Sequence, residues 1–280
     1  MIVDNTRKIL AQNEMFAKKQ YGQNFLVNKQ VLEKIISLSN LNKETAVIEV
    51  GPGLGALTEF LAINAGKVLC YEIDANMISI LKSTLINYNN VEIIQQDILD
   101  ANILDDIKEH LTDFDRVVVV ANLPYYITTP IIMKFLQETN ISEFTLMVQK
   151  EVGQRLSGKP KTKEYNALSV LMNYTGETTI DYKVPKNSFL PEPKVESVVL
   201  RINKKKNDYA LINESNFFSF IRHMFSQRRK TLLNNLLGKT PLNKDEIVDL
   251  LMALNFNPSV RAEELDLDSI IKLYKVIYEN

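Results

Sequence analysis

The sequence predicts an α/β fold: a mostly parallel sheet wrapped by helices, followed by a small all-α domain. Three observations carry this. Short β-branched runs alternate with segments of helical periodicity over more than a hundred residues. Three of only nine glycines fall close together, at Gly51, Gly53 and Gly55, where the first strand runs into the first helix. A polar, charged run near residue 204 then separates this region from a stretch that reads as helix throughout.

In chain order, residues 46–50, 68–73, 91–95, 117–121 and 144–148 are short and apolar, the pattern of strands buried on both faces. Between them, residues 54–62, 75–85, 103–111 and 130–138 repeat apolar positions at helical spacing. Such alternation implies βαβ units. Residues 178–184 and 197–202 are further strand candidates, joined by proline-bearing chain without a long helix. They are expected as an antiparallel pair closing the sheet. The run Lys204-Lys205-Lys206-Asn207-Asp208 is expected as a solvated linker. Beyond it, residues 214–237, 244–254 and 266–278 each read as one helix. The expected domains are therefore 1–204, led by a basic arm over 1–20, and a helical domain over 205–280.

Composition excludes several function classes. The chain has 280 residues, 45% of them apolar. No apolar run is long enough to span a membrane, and the first residues lack the layout of a secretory signal. One cysteine excludes a disulfide framework and fits a reducing cytoplasm, the expected location; two histidines exclude a three-histidine metal centre, and no metal is expected. With 33 basic and 34 acidic residues the net charge is −1, which taken whole argues against a nucleic-acid partner.

The segment Glu49-Val50-Gly51-Pro52-Gly53-Leu54-Gly55 is a strand entering a glycine turn and then a helix. Glycines there let the backbone approach a ligand at a helix N-terminus, where free N–H groups favour anionic groups. The dinucleotide pattern also matches through Gly51, Gly53 and Ala56, so the loop alone separates neither nicotinamide from S-adenosylmethionine nor either from a plain tight turn. The next strands end in Glu72-Ile73, Gln96-Asp97-Ile98 and Asn122-Leu123-Pro124-Tyr125. Ligands of open α/β sheets bind beside strand C-termini, so these polar groups are expected in one crevice. The competing reading is that Glu72, Asp97 and Asn122 merely cap the helices that follow.

Asn122-Leu123-Pro124-Tyr125 suits one chemistry. An adenine N6 amine is a poor nucleophile because its lone pair is delocalised into the ring. The Asn122 side-chain oxygen and the Leu123 or Pro124 carbonyl can accept its two hydrogens and turn the lone pair toward an electrophile. Pro124 fixes the loop, and Tyr125 offers an aromatic face for a base swung out of its stack. A sulfonium methyl is already activated, so alignment matters more than acid–base work. Cys70 is expected as a core thiol, and His110 has no obvious partner.

These residues, together with Tyr21-Gly22-Gln23-Asn24-Phe25-Leu26, Gln149-Lys150-Glu151-Val152, Phe189-Leu190-Pro191-Glu192-Pro193-Lys194-Val195 and Phe225-Ser226-Gln227-Arg228-Arg229-Lys230-Thr231-Leu232, carry a resemblance. From about residue 16 to its end the chain resembles the KsgA-type (RsmA) small-subunit rRNA adenine N6,N6-dimethyltransferases. The resemblance implies a Rossmann-like class I S-adenosylmethionine methyltransferase sheet of seven strands with a helical C-terminal domain. It implies cofactor contacts at Gln23, Asn24, Leu26, Gly51, Gly53, Glu72, Ile73, Asp97, Ile98 and Asn122, with catalysis by Asn122, Leu123, Pro124 and Tyr125. It implies dimethylation of two adjacent adenosines near the 3′ end of 16S rRNA on an assembling small subunit, by a monomeric protein that leaves S-adenosylhomocysteine. Where the family is expected to have Tyr-Gly, this chain has Tyr165-Asn166; asparagine tolerates a left-handed backbone, so the turn is expected to survive.

Basic residues are clustered despite the balanced total. Arg7, Lys8, Lys18 and Lys19 lie in the N-terminal arm, and Lys159, Lys161 and Lys163 in a loop. Arg222, His223, Arg228, Arg229 and Lys230 crowd one segment, while acids gather over 97–115 and 263–268. Arg222, Arg228, Arg229, Lys230 and Lys194 are expected to contact phosphates. Phe217, Phe218, Phe220 and Phe225 read as the core stripe of an amphipathic helix. Phe189 reads equally as an anchor of the hairpin or as a neighbour of the target base.

Three rival functions follow. Large-subunit rRNA adenine methyltransferases of the macrolide-resistance type are related; they carry Ile where this chain has Leu123 and lack the Gln227-Arg228-Arg229-Lys230 element. A non-catalytic ribosome-assembly factor and a nicotinamide oxidoreductase are the others, the last resting on the glycine loop alone.

Overall fold

The computed structural model describes residues 1–12, 24–137, 141–206 and 209–279. The chain forms two compact units, Met1–Gly153 with Thr179–Lys204, and Gln154–Thr178 with Lys205–Asn280.

In the first unit, β1 (Phe25–Leu26) stands apart from the main sheet and pairs antiparallel with β8 (Phe189–Leu190). The main sheet has seven strands: β2 (Thr45–Val50), β3 (Lys67–Glu72), β4 (Val91–Gln95), β5 (Arg116–Asn122), β6 (Glu143–Gln149), β7 (Gly176–Val184) and β9 (Ser197–Lys204). Their spatial order is β4-β3-β2-β5-β6-β9-β7. Pairs from β4 through β6 are parallel, and β9 is antiparallel to β6. The two strands expected to close the sheet do occupy its last two places.

Helices α2 (Lys29–Ser39), α3 (Ala56–Asn64), α4 (Ala75–Thr84), α5 (Ile103–His110) and α6 (Thr128–Gln137) supply the remaining layers. Every residue of β2 is buried, as a central parallel strand demands. The chain steps from β2 outward to β4, then returns to place β5 on the opposite side of β2. That reversal opens a crevice at the C-terminal ends of β2 and β5, where ligands of such sheets bind.

Part of the arm expected over residues 1–20 is a docked helix, α1 (Ile2–Gln12), with Ile2, Val3 and Thr6 buried. The Ile2 amide donates to Glu59 Oε2 at 2.7 Å. Arg7 and Lys8 remain exposed, while Lys18 and Lys19 lie outside the described residues. Helix α2, capped by the Asn28 side chain on the amides of Gln30 and Val31, also escaped the periodicity.

The second unit holds α8 (Ala167–Thr175), α9 (Glu214–Met224), α10 (Leu232–Leu236), α11 (Lys244–Ala253) and α12 (Leu267–Tyr278); α7 (Lys150–Leu156) carries the chain into it. The two units divide after residue 204, and residues 154–178 also group with the helical unit. The reason is apolar: α8 buries Val170, Leu171 and Met172, and its Tyr174 ring lies 5.0 Å from that of Phe217 on α9. Phe217 and Phe220 are fully buried against Tyr274, so they form a core stripe as read.

The single helix expected over 214–237 is two. Asn235 is the cause: its Nδ2 donates to the carbonyls of Met224 at 2.7 Å and Gln227 at 3.2 Å, folding the intervening basic turn back on α9. The left-handed turn expected at Asn166 is also corrected. Its φ is −159°, an extended backbone, and its side chain caps α8 by accepting from the Leu168 amide at 2.8 Å. Asparagine is retained here as a cap rather than as a substitute for glycine.

Candidate active site

The crevice at the β2–β5 reversal collects Asn24, Leu26, Gly51, Gly53, Glu72, Ile73, Asp97, Ile98, Asn122, Leu123, Pro124 and Tyr125 along one wall or another. These are the sequence-predicted cofactor and catalytic residues apart from Gln23, which lies outside the described residues. Glycines 51, 53 and 55 have φ of 68°, 60° and 88°, a left-handed path that side chains disfavour. Gly55 opens α3 without a side-chain cap, leaving the first helical amides directed at the crevice. A Cβ on Gly51 would sit 3.5 Å from the Pro124 ring, so the glycine loop and the Asn122 loop are in close approach.

The acidic residues do more than cap helices. Glu72 accepts from the Asp74 amide at 2.9 Å and the Gly53 amide at 3.4 Å, which ties the end of β3 to the glycine loop. Burial raises its pKa above the ordinary carboxylate value, against those backbone donors. The cap of α4 is Asp74 instead. Asp97 accepts from the Leu99 amide at 2.9 Å and begins no helix. Ile73 and Ile98 supply apolar surface beside these carboxylates, the setting of a ribose and a flat base.

Asn122 is the most telling residue. Its Oδ1 is buried and has no hydrogen-bond partner among the described residues. Buried acceptors are almost always paired, so this one is open to a donor that the described residues do not supply. Of the two candidate backbone acceptors, the Pro124 carbonyl already receives the Ile127 amide at 3.3 Å and the Thr128 hydroxyl at 3.0 Å. The Leu123 carbonyl accepts from none of the described residues, while its amide donates to the Met147 carbonyl at 3.1 Å. The alternatives left open by the sequence thus narrow to Leu123. Tyr125 is half-buried, its hydroxyl 2.7 Å from that of Ser197; burial pushes its pKa up.

Sequence reasoning missed Glu49 and Ser197. Glu49 lines the crevice at 1% exposure, and burial pushes its pKa to about 8. An acid inside an otherwise apolar strand was the available signal. Cys70 is fully buried on β3 with its thiol against Glu49 Oε2 at 3.6 Å, a core residue as expected. His110 does have a partner, Glu92 Oε1 at 2.8 Å, which β4 brings to it.

Residues 15–278 match the family model described as ribosomal RNA adenine dimethylase. The chain belongs to that family. Among curated relatives of the dimethylase, the ribosomal RNA small subunit methyltransferase A of Geobacillus thermodenitrificans is 44% identical over 96% of this chain and 93% of its own. The protein of the same name from Staphylococcus epidermidis is 43% identical over 96% and 93%. Among solved structures, a dimethyladenosine transferase from Plasmodium falciparum superposes with a TM-score of 0.75 at 29% identity, covering 89% of this chain and 95% of that one. The dimethylase is a methyltransferase dependent on S-adenosylmethionine, and the crevice fits that group: a glycine cradle, the Glu72 carboxylate at the end of β3 and apolar faces at Ile73 and Ile98. When bound, the cofactor supplies a sulfonium methyl that needs no further activation.

Outside the crevice, the residues expected to meet RNA divide. Lys194, Arg222, Arg229 and Lys230 are exposed. Arg228 is committed within the protein: its Nε donates to Glu263 Oε2 at 2.6 Å and its Nη1 to the Lys163 carbonyl at 2.6 Å. The acidic and basic clusters, separate in sequence, therefore meet at this pair. Phe189 is 3% exposed in the core of the first unit, opposite Leu26, so the anchor reading describes it and no face is offered to a base.

Proposed function

We propose that this dimethylase transfers methyl groups to N6 of two adjacent adenosines near the 3′ end of small-subunit rRNA, within assembling particles. On this reading it works as a monomer in the cytoplasm, with Asn122, Leu123, Pro124 and Tyr125 around the target base and Lys194, Arg222, Arg229 and Lys230 on the phosphate backbone. The unpartnered Asn122 Oδ1 carries the chemistry. Together with the open Leu123 carbonyl it accepts both N6 hydrogens, which turns the nitrogen lone pair out of conjugation and toward the methyl group. Bound S-adenosylmethionine would supply the methyl, Asn122 and Leu123 would aim N6 at it, and the proton that N6 gives up would pass to water. The small-subunit assignment is supported by the names of the curated relatives.

The test offers purified small-subunit particles and protein-free large-subunit rRNA, each with isotopically labelled cofactor, and reads methyl count and position by mass spectrometry. Dimethyladenosine in the small-subunit rRNA alone is expected. Modification of the large-subunit rRNA alone would overturn the assignment, and full activity of Asn122→Ala would overturn the mechanism.

A further inference from the structure

The Asn122 loop is fastened at its two ends to two neighbouring strands, β6 and β9. At its start, Asn122 lies opposite Met147 of β6 and the Leu123 amide donates to the Met147 carbonyl. Two residues later, Tyr125 meets the hydroxyl of Ser197 at 2.7 Å. Ser197 is fully buried at the first position of β9 and stands opposite Gln149, two residues further along β6. The residue before it is held twice by Lys150: the Glu196 carbonyl accepts the Lys150 amide at 3.0 Å, and its carboxylate accepts the Lys150 ammonium at 2.6 Å. Rigid, buried strands therefore define where that hydroxyl sits, and a hydroxyl on a strand constrains its partner ring more firmly than solvent can.

We propose that Ser197 is a positioning residue for methyl transfer: its hydroxyl holds the Tyr125 ring at the angle that receives the target adenine. The inference rests on the function proposed above. Tyr125 is the group that touches the base; Ser197 acts only through it. Neither side chain need gain or lose a proton, because either hydroxyl can donate to the other.

The experiment compares Ser197→Ala, Tyr125→Phe, their double variant and Ser197→Thr in methylation of small-subunit particles, with cofactor affinity measured by calorimetry and folding by thermal melting. Loss of one buried hydrogen bond at a reacting site predicts a fall of about tenfold in kcat for each single variant. Cofactor affinity should be unchanged, the double variant no worse than either single one, and Ser197→Thr restored toward the unaltered rate. A structural role alone would not give equal, non-multiplying losses. Unchanged kcat in Ser197→Ala, or losses that multiply, would overturn the proposal. If Ser197→Ala does not fold, Tyr125→Phe decides, and an unaltered rate there overturns it. Inactivity of the unaltered protein on the particles refutes the functional reading and this inference together, whereas active variants refute the inference alone.

Discussion

Glu49→Gln is expected to change how stability depends on pH. Glu49 sits at 1% exposure in the central strand, and burial raises its pKa from 4.5 to about 8. Between those two values the folded chain holds a proton that the unfolded chain has released. Its contribution is therefore fully present below the unfolded pKa and is lost as pH rises through the folded one. The slope is about −1.4 kcal/mol per pH unit, so from pH 5.5 to 7.5 this group alone costs about 3 kcal/mol. Glutamine keeps the shape and removes the proton exchange. Urea unfolding of both proteins across that range should give a difference that drifts by about 3 kcal/mol, with the variant gaining ground as pH rises. Glu72, also raised by burial, has the same sign but is common to both proteins and largely cancels in the difference. Parallel pH profiles would refute the assignment of a protonated acid beneath the cofactor crevice.

Asn235→Ala leaves the buried Met224 carbonyl without this donor, while the Gln227 carbonyl keeps the Lys230 amide, and should lower stability by about 2 kcal/mol in urea unfolding. Alanine at both Arg229 and Lys230 should lessen the slope of log affinity against log salt by about 1.4, as expected for two phosphate contacts on single-stranded RNA. Arg228→Ala should instead lower the melting temperature with a smaller change in that slope, since this side chain is committed to Glu263 and the Lys163 carbonyl. Gly66→Ala would drive its Cβ into the Lys43 carbonyl and the Phe114 ring, and calorimetry should show a loss above about 2 kcal/mol.

The parallel sheet was legible because its strands are buried on both faces and so read as uninterrupted apolar runs, with helical periodicity between them. The crevice was legible because a parallel sheet brings every strand's C-terminal end to one edge, so Glu72, Asp97 and Asn122 could be gathered from strand ends alone. What stayed hidden depends on partners distant in the chain. Nothing near Ser197 points to Tyr125, and nothing near Arg228 points to Glu263. Phe189 looked able to serve a base until its pairing opposite Leu26 buried it. The break between α9 and α10 eluded a periodicity that continues through it, because one asparagine amide decides it. Helix α1 was read as a charged arm since its buried face is only Ile2, Val3 and Thr6.

Strand β9 is synthesised after β7 yet lies between β7 and β6. Until residue 204 has emerged, the flank of β6 is a row of unsatisfied backbone groups, the kind of edge that recruits other chains. At synthesis rates of about 5–20 residues per second, that exposure lasts on the order of several seconds. Every strand that faces the cofactor is complete well before then. The last strand of the sheet to arrive is the one that carries Ser197, so a growing chain acquires its crevice first and the partner of the Tyr125 hydroxyl only as the sheet closes.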